Sequence, residues 1–295
     1  MNLPSPIERI YEPIWNDKNI ELYIKREDLI HPIVNGNKYR KLKYNLATNP
    51  NCIITFGGAF SNHIHATASA GKLYDIKTVG IIRGEYDEKN PTLQHAKSCG
   101  MELHCVNRTD YKLKDKSEAA QNIIAQYDAP LVLPEGGNNA LARQGTAEVA
   151  TEINEQIPTA NYIALSAGTG GTASGILTTK EDRYKLIVFS ALKGNFLQKE
   201  IVEMSGSSDF DLQADYHFGG YARTQPELIS FINQFYKNHN ILLDPIYNGK
   251  GLFGIIDLIK KDHFPQGSKI VWVLTGGQQG NVAWNYMNGG GLIER

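Results

Sequence analysis

Short apolar segments alternate with longer amphipathic or alanine-rich segments along the chain from residue 52 onward. Apolar runs that end at glycine or proline are typical of buried strands, and the longer segments are typical of helices. The alternation predicts βα units that build a largely parallel sheet. The predicted strands are residues 52–56, 78–82, 103–106, 131–133, 162–165, 186–189, 214–218 and 270–274. The predicted helices are residues 62–73, 91–98, 116–127, 141–156, 172–180, 226–237 and 249–261.

Composition and charge favour a globular protein whose partner is a small molecule. The 295 residues suffice for one large domain or two moderate ones, and the chain has no repeat and no long linker. A net charge of -1 gives no overall field that would gather nucleic acid or an anionic membrane surface. No apolar run approaches the ~18 residues that cross a bilayer. We therefore expect neither nucleic acid nor a membrane as a partner.

The cysteines and the first residues favour a cytoplasmic location. Cys52, Cys99 and Cys105 are an odd number without a CxxC pair, and Cys52 lies in an apolar segment typical of a buried thiol. Prolines and charged residues interrupt residues 1–15, which is not the pattern of a signal peptide. We expect a reducing compartment.

A glycine-rich segment, SAGTGGT at residues 166–172, follows one predicted strand and precedes a predicted helix. Small residues let backbone N–H groups converge on an anion, and the N-terminus of the following helix stabilises a phosphate dianion. The spacing is neither the GxGxxG dinucleotide motif nor a Walker loop. The segment predicts a phosphate site; the alternative is a tight turn that only packs the helix against the sheet.

Lys38 belongs to a second motif, NGNKYRKLKY at residues 35–44, whose leucine spacing predicts a helix that begins near Gly36. Lys38 would then lie in the first helical turn. A lysine amine can condense with a cofactor aldehyde, and it becomes nucleophilic when burial or cationic neighbours lower its pKa. Arg40 and Lys41 are candidates for such neighbours. The alternative is a solvated lysine in a basic patch.

The segment GGAFSNH at residues 57–63 directly follows the first predicted strand, at the end where α/β proteins bind ligands. Contacts to a ligand are one interpretation of its polar residues. The alternatives are that Ser61 caps the next helix and that Asn62 closes a local turn. His63 and His65 lie on different faces of a helix, so we assign no metal site.

Taken together and in order, the motifs resemble the 1-aminocyclopropane-1-carboxylate (ACC) deaminase/D-cysteine desulfhydrase family. An ordered set of motifs is more specific than any single one. The matching segments are LYIKREDL (22–29), NGNKYRKLKY (35–44), FGGAFSNHIHATA (56–68), LPEGGNNALARQGTAEVATEI (133–153), SAGTGGTASG (166–175), LDPIYNGKGLFGIIDLI (243–259) and LTGGQQG (274–280).

The resemblance implies an enzyme of fold type II that depends on pyridoxal 5'-phosphate (PLP). Such a protein is similar to the tryptophan synthase β subunit, an α/β fold with two open, twisted, mainly parallel sheets and flanking helices. The resemblance also implies a larger PLP-binding domain formed by residues 1–47 and 158–295. A smaller α/β domain would be inserted at residues 48–157, with the cofactor between the two. It further implies a homodimer.

For the cofactor, the resemblance implies that Lys38 binds the PLP aldehyde covalently and that Asn62 contacts the phenolic oxygen. Thr275 would lie beside the pyridine nitrogen; without the resemblance it could be a strand-end cap. The phosphate-binding residues that the resemblance implies are Ala167, Gly168, Thr169, Gly170, Gly171 and Thr172.

For a small amino-acid substrate, the resemblance implies contacts with Ser61, Asn62, His63 and Tyr247. Lys38, Ser61 and Tyr247 would be the catalytic residues. Without the resemblance, Tyr247 could be an ordinary core or interface aromatic.

Three positions depart from the family pattern. Asn248 replaces the glutamate that follows the tyrosine in the deaminase proper. An amide leaves the pyridine nitrogen nearer neutral than a carboxylate does, so the ring becomes a weaker electron sink. Phe60 replaces a common glutamine, which would make the pocket more apolar, and His65 replaces an arginine. We therefore expect cyclopropane ring opening to be disfavoured.

These departures favour α,β-elimination, most of all the conversion of D-cysteine to pyruvate, sulfide and ammonia. In that scheme the substrate amine displaces Lys38, and the freed lysine removes the α-proton as a general base. The alternatives are ACC deamination and elimination from another amino acid, such as a sulfonate-bearing one. A catalytically silent PLP-binding regulatory protein is a further alternative.

Overall fold

The computed structural model describes residues 1–294, which form two β-sheets flanked by helices. The strands are β1 (Ile7–Ile10), β2 (Glu21–Lys25), β3 (Cys52–Gly57), β4 (Lys77–Arg83), β5 (Glu102–Val106), β6 (Leu131–Leu133), β7 (Tyr162–Ala167), β8 (Lys185–Ser190), β9 (Asp211–Gln213) and β10 (Lys269–Val273). The helices are α1 (Pro13–Asn16), α2 (Gly36–Leu46), α3 (Asn62–Tyr74), α4 (Pro91–Ser98), α5 (Arg108–Lys112), α6 (Glu118–Ile124), α7 (Ala140–Gln156), α8 (Gly171–Thr179), α9 (Phe196–Ser205), α10 (Pro226–His239), α11 (Asn248–Lys260) and α12 (Gln279–Asn288). Short 3-10 helices cover Glu27–Leu29, Lys114–Lys116 and Glu135–Gly137.

The larger sheet has the strand order β1-β2-β10-β7-β8-β9, and the smaller sheet has the order β5-β4-β3-β6. Only β1 and β2 pair antiparallel among the described strands; the other neighbours run parallel. The α/β class with two mainly parallel sheets is therefore confirmed. The carboxyl ends of β7 and β10 meet at one edge of the larger sheet, where the candidate site lies.

The central strands are buried on both faces. All six residues of β3 and all six of β7 are buried, because helices cover each side of the two sheets. One face of the larger sheet packs Trp272 with helix α11, and the opposite face packs Val273 with helix α8. Burial on both faces explains why these strands have uninterrupted apolar sequences.

Helices α2 and α7 pack closely, and a buried ionic network joins them. A Cβ on Gly145 of α7 would overlap the Arg40 carbonyl, so only glycine fits at this position. The Arg40 guanidinium is fully buried, with ion pairs to Glu27 at 2.8 Å and Glu152 at 2.7 Å. Helix α7 also packs against α8 on the larger sheet.

The domain division at residues 48 and 157 stays a prediction.

The predicted strand at residues 214–218 is wrong. The strand of this region is β9, and Phe218, Gly219 and Gly220 after it have positive φ angles of 52°, 93° and 112°. Two aromatic residues alternate with polar residues here, and both rings pack inward. The ring centroids of Tyr216 and Phe189 are 5.6 Å apart, and those of Phe218 and Phe253 are 5.1 Å apart. An irregular segment with two inward rings therefore has the same sequence alternation as a strand.

The other predicted strands and helices are present, with ends that differ by at most three residues. The elements that the sequence did not predict include β1, β2, α9 and α12. Strand β2 was missed because its two ends are charged, Glu21 and the buried Lys25 that pairs with Glu152, and leave an apolar run too short to predict a strand. Cys52 is buried as predicted. Within residues 1–294, no helix combines the length and apolarity that a membrane span needs.

Candidate active site

Helix α2 begins against the end of strand β10, and this contact places Lys38. Gly36 has a φ of 62°, and a Cβ there would overlap the Thr275 carbonyl. The Asn37 N–H donates to the same carbonyl oxygen at 3.0 Å. Residue 36 must therefore be glycine for two reasons, its backbone conformation and its close approach to β10. The prediction that Lys38 lies in the first turn of a helix is confirmed.

Lys38 carries an amine that loses its proton more readily than an ordinary lysine does. Its Nζ donates to the Gly136 carbonyl at 3.3 Å, and no carboxylate among residues 1–294 forms an ion pair with it. Burial of the amine lowers the pKa of Lys38 to about 8. Lys38 is therefore a far better nucleophile and base at neutral pH than a solvated lysine.

Of the two predicted cationic neighbours, Lys41 is beside Lys38, but the prediction for Arg40 is wrong. Arg40 points away, into the ionic network with Glu27 and Glu152. Lys41 is buried and donates to the same Gly136 carbonyl at 3.0 Å. Burial, followed by the charge of Lys38, lowers the pKa of Lys41 well below its usual value. Lys41 is a buried amine that forms no ion pair with a described acid.

The glycine-rich segment forms the predicted turn between β7 and α8. Gly170 has a φ of 72°, and a Cβ on Gly171 would lie 2.5 Å from the Asn138 side-chain oxygen. The first N–H groups of α8 have no partner within their own helix and point toward the turn. The Asn37 amide donates to Thr172 Oγ1 at 3.0 Å, so the turn is tied directly to the first turn of α2. The turn thus lies close to Lys38 in space, although it is far from it along the chain.

Ser61 forms the helix cap that its alternative interpretation predicted. Its Oγ accepts from the His63 N–H at 3.2 Å and from the Ile64 N–H at 3.3 Å. The hydroxyl hydrogen has no described acceptor and can be donated to a ligand. Asn62 begins α3, and its Oδ1 accepts from Gln279 Nε2. That bond directs the Asn62 Nδ2 the other way, with two donor hydrogens to offer.

His63 is buried, and both of its ring nitrogens have no partner among the described residues. A Cβ on Gly137 would lie 2.5 Å from the imidazole, so a glycine turn passes directly over the ring. Burial, with smaller effects from Lys38 and Lys41, lowers the pKa of His63 well below its usual value. His63 is therefore a neutral ring with one donor and one acceptor unused. His65 instead stacks on His95, with 3.9 Å between ring centroids.

Tyr247 precedes helix α11 and packs over the glycine-rich turn. A Cβ on Gly168 would lie 3.0 Å from the Tyr247 ring, and Ser166 Oγ donates to the Tyr247 carbonyl at 2.7 Å. Burial, followed by the neighbouring Tyr221, raises the pKa of Tyr247 well above its usual value. Its phenol therefore stays protonated. Tyr221, whose ring centroid is 6.2 Å from that of Tyr247, was not predicted, because nothing local in the sequence marks it.

Asn248 is fully buried and uses all of its hydrogen-bonding positions. Its Nδ2 donates to Asp244 Oδ2 at 2.7 Å and to the Gly276 carbonyl at 2.8 Å. Its Oδ1 accepts from the Thr275 N–H at 3.1 Å and from Thr275 Oγ1 at 3.3 Å. Asp244 also accepts the Tyr247 N–H at 2.7 Å, so it caps the start of α11. The amide of Asn248 is locked in one orientation beside Thr275.

Phe60 is half-buried, and its ring centroid is 6.4 Å from that of Tyr286 on helix α12. Tyr286 is 42% exposed, so this aromatic pair lies at the surface beside the start of α3. The ring of Phe60 therefore faces α12.

Comparison with known proteins identifies the family. A family model described as "Pyridoxal-phosphate dependent enzyme" matches residues 4–276. The chain is 30% identical over 95% of its length to "Bifunctional D-cysteine desulfhydrase/1-aminocyclopropane-1-carboxylate deaminase, mitochondrial" of Arabidopsis thaliana, and covers 77% of that protein. The chain belongs to the ACC deaminase/D-cysteine desulfhydrase family. The recognition from sequence motifs is confirmed.

Other members and solved structures agree. The chain is 30% identical over 94% of its length to a "Putative 1-aminocyclopropane-1-carboxylate deaminase" of Pyrococcus horikoshii, of which it covers 90%. A crystal structure of an ACC deaminase homologue superimposes with a TM-score of 0.81 at 27% identity, over 97% of this chain and 91% of that one. A PLP-dependent aspartate racemase, 14% identical with a TM-score of 0.68, shares the fold; the match covers 92% of this chain and 90% of that one. The family depends on PLP and acts on small amino acids.

The residues present fit PLP. Lys41 is a buried amine that forms no ion pair with a described carboxylate, and a phosphate dianion would supply the counter-charge that keeps it protonated. The turn at 168–171 has no room for side chains at Gly170 and Gly171, so backbone N–H groups line it. The two ring nitrogens of His63, near Lys38 and Lys41, have no partner among the described residues, so this side of the site offers one unused donor and one unused acceptor.

Proposed function

We propose that this chain removes the β-substituent of a small amino acid by PLP-dependent α,β-elimination, with D-cysteine as the leading substrate. Together with one water, D-cysteine would give pyruvate, hydrogen sulfide and ammonia. The observation that carries this proposal is the locked amide of Asn248 at the position after Tyr247.

The environment of Asn248 favours elimination over cyclopropane opening. Its neighbour Thr275 offers a neutral hydroxyl, and the nearby carboxylate of Asp244 is engaged by N–H groups of the α11 start. A neutral partner leaves the pyridine ring a moderate electron sink. A thiolate leaves carbon readily because a thiol is a fairly strong acid, with a pKa of about 8.5, whereas a ring carbon is a poor leaving group. Elimination from D-cysteine therefore needs less electron withdrawal by the cofactor than opening of the ACC ring does.

When bound, PLP would delocalise the electron pair that proton removal leaves on the α-carbon. Lys38 would hold the cofactor through its amine, and Asn62 Nδ2 would donate to the phenolic oxygen. Thr275 would meet the pyridine nitrogen. The phosphate would lie on the N–H groups of residues 167–172, and Lys41 would neutralise it. Once freed by the substrate amine, Lys38 would take the α-proton, a role that suits a buried amine with a lowered pKa.

Other residues would bind the substrate and release its sulfur. The free hydroxyl hydrogen of Ser61 and the N-terminus of the thirteen-residue helix α3 would bind the α-carboxylate. His63 would donate or accept one further hydrogen bond. Tyr247, held protonated by burial, would donate a hydrogen bond to the departing sulfur. A homodimer, the division into two domains and a cytoplasmic location remain part of the proposal.

Substrate profiling tests this function. The purified holoenzyme is given D-cysteine, β-chloro-D-alanine, a sulfonate-bearing amino acid and ACC in parallel, and keto-acid release is measured. We expect faster release from D-cysteine and β-chloro-D-alanine than from ACC. Faster release from ACC would refute the elimination proposal, and yellow protein that turns over no amino acid would favour the silent PLP-binding alternative.

The covalent site is tested separately. Borohydride reduction followed by peptide mass mapping should find the pyridoxyl group on Lys38. Lys41 is the internal control, because its amine donates to the same Gly136 carbonyl and it lies three residues away. A label on Lys41 or on another lysine would overturn the site assignment.

A further inference from the structure

One face of helix α11 follows the irregular loop at residues 216–221, here called the 216–221 loop. The helix and the loop run in opposite directions, and each turn of the helix contacts the loop. The contacts are Tyr247 with Tyr221 (6.2 Å between ring centroids), Lys250 Nζ with the His217 carbonyl (2.9 Å) and the Gly220 carbonyl (2.8 Å), Phe253 with Phe218 (5.1 Å), and Asp257 with the Tyr216 hydroxyl (2.7 Å). The helix that begins beside Tyr247 therefore also sets the conformation of the loop.

Lys250 is the unusual member of this set. Its side chain is 1% exposed, and no acidic side chain among residues 1–294 forms an ion pair with it. Burial of an ammonium group is costly unless hydrogen bonds offset it. Here two backbone carbonyls of one loop take up two of its three hydrogens. Burial lowers the pKa of Lys250 to about 8.

The 216–221 loop has little other hydrogen bonding of its own. Three consecutive residues, Phe218 to Gly220, have positive φ, which excludes both helix and strand pairing there. Within the loop, the Gly220 N–H donates to the His217 carbonyl at 3.0 Å, and the Gly219 N–H donates to His217 Nδ1 at 2.9 Å. Loops with few backbone bonds open at low free-energy cost. The two bonds from Lys250 therefore hold the middle of the loop on α11, between the Tyr216–Asp257 bond at one end and the Tyr221–Tyr247 contact at the other.

We propose that Lys250 is a positioning residue that fastens the 216–221 loop to α11 and thereby holds the Tyr221 ring against Tyr247. Tyr221 is 48% exposed, so its ring forms the solvent side of this tyrosine pair. Fastening the loop keeps the phenol of Tyr247 shielded from water. The inference rests on the proposed function only in taking Tyr247 as a substrate-facing residue.

Amide hydrogen exchange on the holoenzyme tests the proposal without any turnover. In Lys250→Met, whose side chain fills the space but has no donor, peptides covering residues 214–224 should exchange at least about tenfold faster, because two charged hydrogen bonds are lost. Peptides of β3 and β7 should be unchanged. Lys260→Met, an exposed lysine on the same helix, is the matched control and should behave as the parent protein.

Two results would overturn the proposal: unchanged exchange at 214–224 in Lys250→Met, or faster exchange spread evenly over the whole chain. If Lys250→Met does not fold, Lys250→Gln serves, because its shorter amide cannot reach both carbonyls. The same exchange result in a protein that turns over no D-cysteine would leave this inference intact while refuting the proposed function.

Kinetics separates positioning from simple packing. Lys250→Met and Tyr221→Ala should each raise KM by about tenfold, and the double variant should be no worse than Tyr221→Ala, because Lys250 acts through Tyr221. Multiplicative effects in the double variant would show that Lys250 acts by another route, and would refute the proposal.

Discussion

The Thr275 carbonyl lies against Gly36 so closely that no side chain fits between strand β10 and the start of α2. The same carbonyl accepts the Asn37 N–H at 3.0 Å. Two segments that are far apart in the sequence therefore join directly beside Lys38. The position of Lys38, the proposed cofactor lysine, therefore depends on the absence of a Cβ at Gly36.

Gly36→Ala should therefore damage both stability and cofactor attachment. We expect a loss of about 2 kcal/mol or more in the free energy of unfolding, because a strained φ and a backbone clash combine. Urea denaturation and the absorbance of bound PLP measure the two effects. Gly206→Ala is the matched control: its φ of 72° is similar, but nothing lies within 4 Å of an added Cβ. Equal losses in both variants would show that the clash with Thr275 is unimportant.

The lowered pKa of Lys38 predicts how cofactor attachment depends on pH. Only the neutral amine attacks an aldehyde, so attachment should speed up as pH rises and level off above the pKa. With a pKa of about 8, roughly a tenth of the protein carries a neutral amine at pH 7, against fewer than about one in a thousand for an ordinary lysine. Stopped-flow mixing of apoprotein with PLP between pH 6.5 and 10 should give a midpoint near 8. A midpoint above 10 would contradict the burial argument.

Asn248→Asp should destabilise the protein in a pH-dependent way. It places a second carboxyl group against Asp244, where the amide nitrogen now donates at 2.7 Å. The two carboxyl groups would share a proton, so the folded state binds protons more tightly than the unfolded state does. The loss should be about 2–4 kcal/mol at pH 7 and smaller at pH 5. Urea denaturation at both pH values measures it, and adding Asp244→Asn should recover part of the stability.

Ser61→Ala should separate a structural effect from a functional one. Loss of the helix cap should cost about 1 kcal/mol of stability. Ser117→Ala is the matched control, because Ser117 caps α6 in the same way, accepting the Ala120 N–H at 3.1 Å. Both variants should lose similar stability in urea, but only Ser61→Ala should lower kcat/KM, by about tenfold or more. Equal kinetic losses in both would remove Ser61 from the site.

Arg40→Met tests the interpretation of the ionic network as structural. Removal of the guanidinium leaves the buried Glu27 without its ion-pair partner and leaves Glu152 with Lys25 alone, which should cost about 3–5 kcal/mol. Lys97→Met, which breaks an exposed pair with Glu88, should cost less than about 1 kcal/mol. Urea denaturation of the apoproteins compares them. A small loss for Arg40→Met would show that water or rearrangement satisfies the two glutamates.

The sequence predicted those parts of the fold that depend on local patterns. Strands β3 and β7 are buried on both faces, so their apolar runs stand out, and the glycine turn before α8 is a local motif. Strand β2 was missed because charged residues, Glu21 and Lys25, stand at its two ends, and Lys25 is buried only through its pair with Glu152 of α7. The segment at 214–218 was misread because inward aromatic rings alternate there without strand pairing.

The residues of the candidate site fall into the same two groups, those in local motifs and those placed by contacts between distant segments. Lys38 and Ser61 lie in contiguous motifs and could be named from sequence. Tyr221 and the partners of Lys250 could not, because they reach the site through a loop whose path depends on positive φ angles and on contacts with α11. The direction of Arg40, away from Lys38, depends likewise on Glu152, more than a hundred residues away in the chain.

The bond from Asn37 to Thr172 has a consequence for ligand choice. One amide links the lysine that would take the aldehyde end of the cofactor with the turn that would take its anionic end. The spacing between these two attachment points is therefore already set in the apoprotein, so the protein loses little conformational entropy when PLP binds. Analogues with a longer or shorter arm would engage one end at a time, so this protein should discriminate among B6 compounds by length.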